Sequence, residues 1–136
     1  MDKARLKEEI IRDEGLRVEL YIDSVGKATI GVGRNIEDNG ISKEEAFMML
    51  ENDLAVTESE LNYRLPWWRD LPDDAQRALA NMCFNLGWPR LSGFTKMINH
   101  LKEREFFEAS EEALESKWAK QVGLRASRIA ELIRNS

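Results

Sequence analysis

Residues 12–35 read RDEGLRVELYIDSVGKATIGVGRN, and within them the period of the apolar positions changes from helical to alternating. Ahead of Gly15, the residues Leu6, Ile10 and Ile11 share one helical face, which predicts a helix over 2–14 with Gly15 as its stop. Beyond it Leu16, Val18, Leu20 and Ile22 alternate with Arg17, Glu19, Tyr21 and Asp23. After a break at Ser24, Val25 and Gly26, the residues Ala28, Ile30 and Val32 alternate with Lys27, Thr29, Gly31 and Gly33. This is the pattern of a β-hairpin. A turn centred on Gly26 would place Asp23 opposite Thr29 on the polar face, where cross-strand neighbours sit roughly 5 Å apart. A one-residue slip would turn the apolar set to the wrong face, so the pattern resists it. Gly31 and Gly33 fall on the polar face, where a missing side chain lets another group approach the backbone.

The remainder reads as helices. Ser42 with Glu45 forms a capping box that opens a long helix, with Ala46, Leu50, Leu54 and Leu61 as its apolar stripe and Pro66 as its latest end. A connector with two prolines, LPWWRDLP, follows. The next helix has Asp73 and Asp74 at its favourable end, Ala75, Leu79, Met82 and Leu86 on its buried side, and Gly87 as its stop. Shorter helices are expected at about 93–102, 107–118 and 124–134. The fold class expected is α+β, mainly α.

The length of 136 residues fits one domain, and a 43% hydrophobic composition is enough to form a core. No run approaches the roughly 18 apolar residues of a membrane span, and the charged start MDKARLKEEIIRDEG lacks a signal-peptide core. Cys83 is the one cysteine, which excludes an internal disulfide, and its helical setting predicts a buried structural thiol. No metal-ligand spacing is present, so no metal is expected. The net charge of −5 argues against general nucleic-acid affinity. The charge is uneven: eight acids face Lys43 between Glu37 and Glu60, whereas five bases face Glu131 between Lys117 and Ser136. His100, near a helix end, is expected at the surface, and Trp67, Trp68, Trp88 and Trp118 are expected to pack.

Asp13 and Glu14 sit in the last turn of the first helix, where the helix dipole disfavours a carboxylate. One reading pairs them with Arg12 or Arg17 as surface acids and leaves Asp23 to begin a turn. The other makes Glu14, Asp23 and Thr29 converge for glycoside hydrolysis, in which one carboxylic acid protonates the leaving oxygen and the second activates water or attacks the sugar. A helix C-terminus, partial burial and the neighbouring Asp13 would each help to keep Glu14 protonated.

The segment DEGLRVELYIDSVGKATIGVGRN closely resembles the active-site segment of the phage lysozymes (endolysins) of glycoside hydrolase family 24, the T-even phage type. That family's spacing is Glu, eight residues, Asp, five residues, Thr, with Thr-Ile-Gly-x-Gly completing the hairpin; Glu14, Asp23 and Thr29 match it without a gap. The stretches NMCFNLG (81–87), SGFT (92–95), SKW (116–118) and RASR (125–128) resemble its central and closing helices.

The resemblance implies a single lysozyme domain over 1–136. Its small hairpin lobe and connecting helix would span about 13–62, its helical lobe 1–12 and 63–136, with a cleft between the lobes. It implies hydrolysis of the β-1,4 bond between N-acetylmuramic acid and N-acetylglucosamine in peptidoglycan. Glu14 would be the general acid, Asp23 would position or activate water, and Thr29 would help to hold that water. Phe84 matches a cleft aromatic that binds substrate, and Arg125 an arginine near the catalytic glutamate. Members of this type are inverting, which requires carboxylates roughly 6.5–9.5 Å apart. The resemblance implies no cofactor. Nothing in the sequence demands more than a monomer or predicts stable membrane insertion. With no export signal, the resemblance implies an enzyme that waits in the host cytoplasm and reaches the wall or periplasm after a holin permeabilises the membrane.

Several positions depart from the family pattern. Arg34 stands where the best-known relatives carry His, the 34–42 connection is short, Asn85 replaces Gln, and Met97 and Glu112 occupy cleft positions that are elsewhere polar and uncharged. The alternatives are a lytic transglycosylase, which would not need Asp23, and a non-catalytic peptidoglycan-binding phage structural protein, against which the intact trio speaks. A small helical DNA-binding regulator fits the acidic charge poorly.

Overall fold

The computed structural model covers residues Met1–Ser136. The chain is α+β and mainly helical, with a three-stranded antiparallel sheet and nine helices. It forms two compact units, Met1–Met48 and Met49–Ser136.

In the first unit, α1 spans Lys3–Glu14. Asp2 caps its start by accepting from the Arg5 N–H at 3.0 Å, and Gly15 at φ +81° ends it. The strands β1 (Arg17–Ile22), β2 (Ala28–Gly31) and β3 (Arg34–Asn35) follow in that spatial order. The hairpin register differs from the expected one: Thr29 lies opposite Tyr21, not Asp23, and Ile22 lies opposite Ala28. The turn is Asp23–Lys27, closed by the Asp23 N–H on the Lys27 carbonyl at 2.9 Å, so its centre is Val25 rather than Gly26. A slip of two residues keeps the faces and changes the partners. A β-bulge between Arg17 and Tyr21 also interrupts the regular alternation.

The apolar set of this unit is not a core. Leu16, Val18, Leu20 and Ile22 are exposed, as are Leu6, Ile10 and Ile11 of α1, and Thr29 is the one buried residue in the unit. The short strand β3 and the one-turn helix α2 (Ile36–Asn39) had no periodic signal of their own. The Asn35 Oδ1 creates α2 by accepting from the Asp38 N–H at 3.1 Å.

Helix α3 (Lys43–Arg64) starts at the expected capping box: the Glu45 N–H donates to Ser42 Oγ at 3.1 Å and the Ser42 N–H to Glu45 Oε1 at 2.8 Å. Of its predicted stripe only Leu61 is fully buried, while Leu50 and Ala46 are exposed. A 3₁₀ turn at Trp68–Asp70 fills the two-proline connector, with Trp68 buried and its indole N–H on Asn62 Oδ1 at 2.7 Å.

The core belongs to the second unit. Helix α4 (Asp73–Leu86) supplies Ala75, Ala78, Leu79, Met82, Cys83 and Leu86, and Gly87 ends it as expected. Helices α5 (Trp88–Leu91), α6 (Thr95–Lys102), α7 (Phe106–Leu114), α8 (Lys117–Val122) and α9 (Leu124–Arg134) pack in the same unit, α9 against both α4 and α7. The single helix expected over 107–118 is two helices. Ser116 breaks it by capping α8, accepting from the Ala119 N–H at 3.1 Å. Trp118 is buried with its indole N–H on Asn85 Oδ1 at 2.7 Å and its ring edge-on to Phe94. Cys83 is buried, and burial together with the Glu60 charge pushes its thiol up.

Candidate active site

The end of α1 and the hairpin after it carry the expected trio. Glu14 is the last residue of α1, exposed, and its carboxylate makes no hydrogen bond or ion pair. The pairing of the end-of-helix acids falls instead to Asp13, whose Oδ1 accepts from Arg12 Nε at 3.1 Å, while Arg17 stacks on Tyr21. What Glu14 has beside it is backbone. A Cβ built on Gly33 would lie 2.8 Å from Glu14 Oε2, and Gly33 sits at φ +69°. Close approach and a left-handed conformation together require glycine there. Gly31, also at positive φ, has nothing near it, so only one of the two glycines serves a close approach.

Asp23 closes the β1–β2 turn. Its Oδ1 accepts from the Val25 N–H at 2.9 Å and the Lys27 N–H at 2.8 Å, which fixes the side chain and leaves its other oxygen free. Thr29 is buried in β2, and its hydroxyl donates to the Lys27 carbonyl at 2.9 Å. Asp23 and Thr29 are therefore joined through Lys27, one by its N–H and the other by its C=O, rather than as cross-strand partners. The Thr29 oxygen retains lone pairs to accept from a further donor.

Arg34 has a partner that the sequence did not disclose. Its Nη1 donates to Glu45 Oε1 at 2.9 Å and to the Gly40 carbonyl at 3.3 Å. The Arg34 guanidinium and the Ser42 hydrogen bonds lower the Glu45 carboxyl to about 2. The hydrogen bond to Glu45, and then its charge, raise the Arg34 guanidinium in turn.

In the second unit Phe84 is exposed on α4. Arg125 donates from Nε and Nη2 to Asn81 Oδ1 at 2.9 and 2.7 Å. A cavity of about 730 Å³ opens between α4, α6 and α8, floored by Leu86, Phe94, Met97 and Trp118. Phe84 does not line it. Around its rim stand Arg90, Lys96, Glu112, Glu115 and Lys117. The ion pairs of this unit lie elsewhere, at Arg64–Glu60, Arg69–Glu58, Arg77 with Asp73 and Asp74, and Arg134–Glu111, and His100 Nδ1 meets Glu105 Oε1, so these five rim charges are unpaired. Met97 and Glu112, which the resemblance placed at cleft positions, both line this cavity, whereas the other lining residues, from the stretches 86–97 and 112–121, carried no such signal in the sequence.

Fold and site define a small, mainly helical α+β chain that carries two carboxylates and a buried threonine at the junction of a helix and a three-stranded sheet. Residues 12–134 match the pattern of the phage lysozyme family, and the chain belongs to that family. It is 30% identical to the pre-baseplate central spike protein Gp5 of Enterobacteria phage T4, over 94% of this chain but 27% of the spike protein. It is 29% identical to probable T4-type lysozyme 2 and 27% identical to probable T4-type lysozyme 1, both of Dictyostelium discoideum. Those matches cover 91% and 94% of this chain and 90% and 92% of the two lysozymes.

Proposed function

We propose that the protein is a muramidase that hydrolyses the β-1,4 bond between N-acetylmuramic acid and N-acetylglucosamine, with Glu14 as general acid and Asp23 as the group that positions or activates water. The observation that carries this is the arrangement around the β1–β2 hairpin. Glu14 is free of ion pairs and seated on glycine backbone, Asp23 is held by two turn amides with one oxygen unused, and Thr29 is tied to the same turn. Family membership supports the reaction class.

In this reading Glu14 gives its proton to the glycosidic oxygen as the C–O bond breaks. The oxocarbenium character that develops is met by water, which Asp23 orients or deprotonates. Thr29 offers its hydroxyl oxygen to that water. Incubating peptidoglycan with wild type and with Glu14→Gln, then identifying the soluble fragments by mass spectrometry, tests the assignment. Reducing muramic-acid ends from wild type alone are expected. Anhydro-muramic ends would make the enzyme a lytic transglycosylase.

The rim of the cavity in the second unit supports peptidoglycan over a neutral polysaccharide. Unpaired charges of both signs above an apolar floor suit a short zwitterionic peptide, and within peptidoglycan the amines and most of the carboxylates belong to the stem peptides. Digestion of intact wall should therefore exceed digestion of the same glycan stripped of peptide. Action as a monomer from the host cytoplasm, after a holin has opened the membrane, belongs to the same proposal. One observation favours a second reading: the likeness to a pre-baseplate central spike protein fits a non-catalytic phage structural protein that binds peptidoglycan.

A further inference from the structure

We propose that the Arg34–Glu45 pair is a positioning device for Glu14, acting through the main chain of Gly33. The inference rests on the reading of Glu14 as the acid. Glu14 has no hydrogen-bonding partner, so packing against Gly33 places its carboxylate. Gly33 stands in the Val32–Gly33 turn between β2 and β3, and β3 is a two-residue edge strand joined to β2 at two positions, Thr29 with Asn35 and Ile30 with Arg34. A short edge strand with so few ladder bonds opens easily. Any displacement of it moves the wall on which the acid rests.

Arg34 anchors that strand immediately after Gly33. One guanidinium nitrogen reaches both Glu45 Oε1 and the Gly40 carbonyl. The same Glu45 oxygen accepts from the Ser42 N–H, so a single atom fixes the first turn of α3 and the start of β3 together. The 22-residue helix α3 is a rigid support compared with the strand it holds. Proton transfer demands placement to within about 0.5 Å, and errors on the scale of 1 Å cost up to about a hundredfold in rate.

The test compares wild type, Arg34→Ala, Arg34→Lys, Glu45→Gln and the double variant Arg34→Ala/Glu45→Gln on a soluble peptidoglycan oligomer, well below the Tm of each. Glu45→Gln keeps a side-chain oxygen for the Ser42 N–H, so the capping box survives while the charge pair is lost. The expected result is a fall in kcat of about tenfold for Arg34→Ala and Glu45→Gln, with KM within about twofold. The double variant should be no slower than the slower single one, and Arg34→Lys should recover part of the loss. A lower Tm with kcat unchanged, or a raised KM with kcat unchanged, overturns the proposal. Glu14→Gln is assayed alongside. If it stays active, the reading of Glu14 itself fails; if it is dead while the pair variants keep wild-type kcat, only the positioning role fails.

Discussion

In Met49–Ser136 helices α4 to α9 close around Leu79, Met82, Leu91, Met97, Leu101, Ile129 and Ile133, all essentially inaccessible to solvent. In Met1–Met48 the sole buried residue is Thr29, and the apolar residues of α1 and β1 face outward. The second unit is held by packed hydrocarbon, whose contribution scales with buried area. The first is held by directional polar contacts: the Asp2 and Asn35 caps, the Asp23 turn, the Thr29 hydroxyl, the Arg34–Glu45 pair and the Lys27 ammonium between Glu37 and Asp38. Polar contacts contribute less each but specify direction, and a catalytic group needs direction more than bulk stability. The candidate acid and water-positioning residues lie in the unit with this second kind of cohesion.

Glu14→Gln presses hardest on that contrast. It removes no hydrogen bond from the fold, so the Tm should stay near wild type while kcat/KM falls by about 10²–10⁴-fold, the span general acids supply. A matched pair of truncations follows. Leu79→Ala, at a fully buried site, should cost about 2–5 kcal/mol in denaturant unfolding. Val18→Ala, 85% exposed, should stay within about 0.5 kcal/mol. Equal effects would show that the hairpin face is packed in solution and would break the comparison.

Gly33→Ala is expected to cost only about 1 kcal/mol in stability, from the left-handed backbone. The new methyl must displace the Glu14 carboxylate, so activity should drop about tenfold or more, well beyond what that stability loss explains. A variant with full activity would remove Gly33 as the seat of the acid.

The subtlest effect on stability is that of Glu45, and it shows in the pH dependence. Its folded-state value of about 2 lies below the ordinary 4.5, so its contribution is complete above about pH 4.5 and is lost as pH falls toward 2. The Tm difference between wild type and Glu45→Gln should therefore be constant from pH 7 to pH 5 and shrink below that. A difference that grows on acidification would contradict the pairing with Arg34.

By itself the sequence determined the local events. Gly15 and Gly87 ended their helices, Ser42 and Glu45 started α3, alternation after Gly15 made a hairpin, and the four apolar positions of α4 went to the core, because each of these depends on neighbours within one or two turns of chain. The spacing of Glu14, Asp23 and Thr29 was also visible. Their mutual support was not: a shift of two residues is silent to an alternating pattern, and only the folded turn linked Asp23 to Thr29 through Lys27. Tertiary structure alone decided which apolar faces were buried, since periodicity marks a face without supplying what covers it. It alone brought Gly33 against Glu14 and Arg34 to Glu45, and gathered the rim charges of the cavity. Those are contacts between residues distant in the chain, set by the path of the backbone rather than by any local preference.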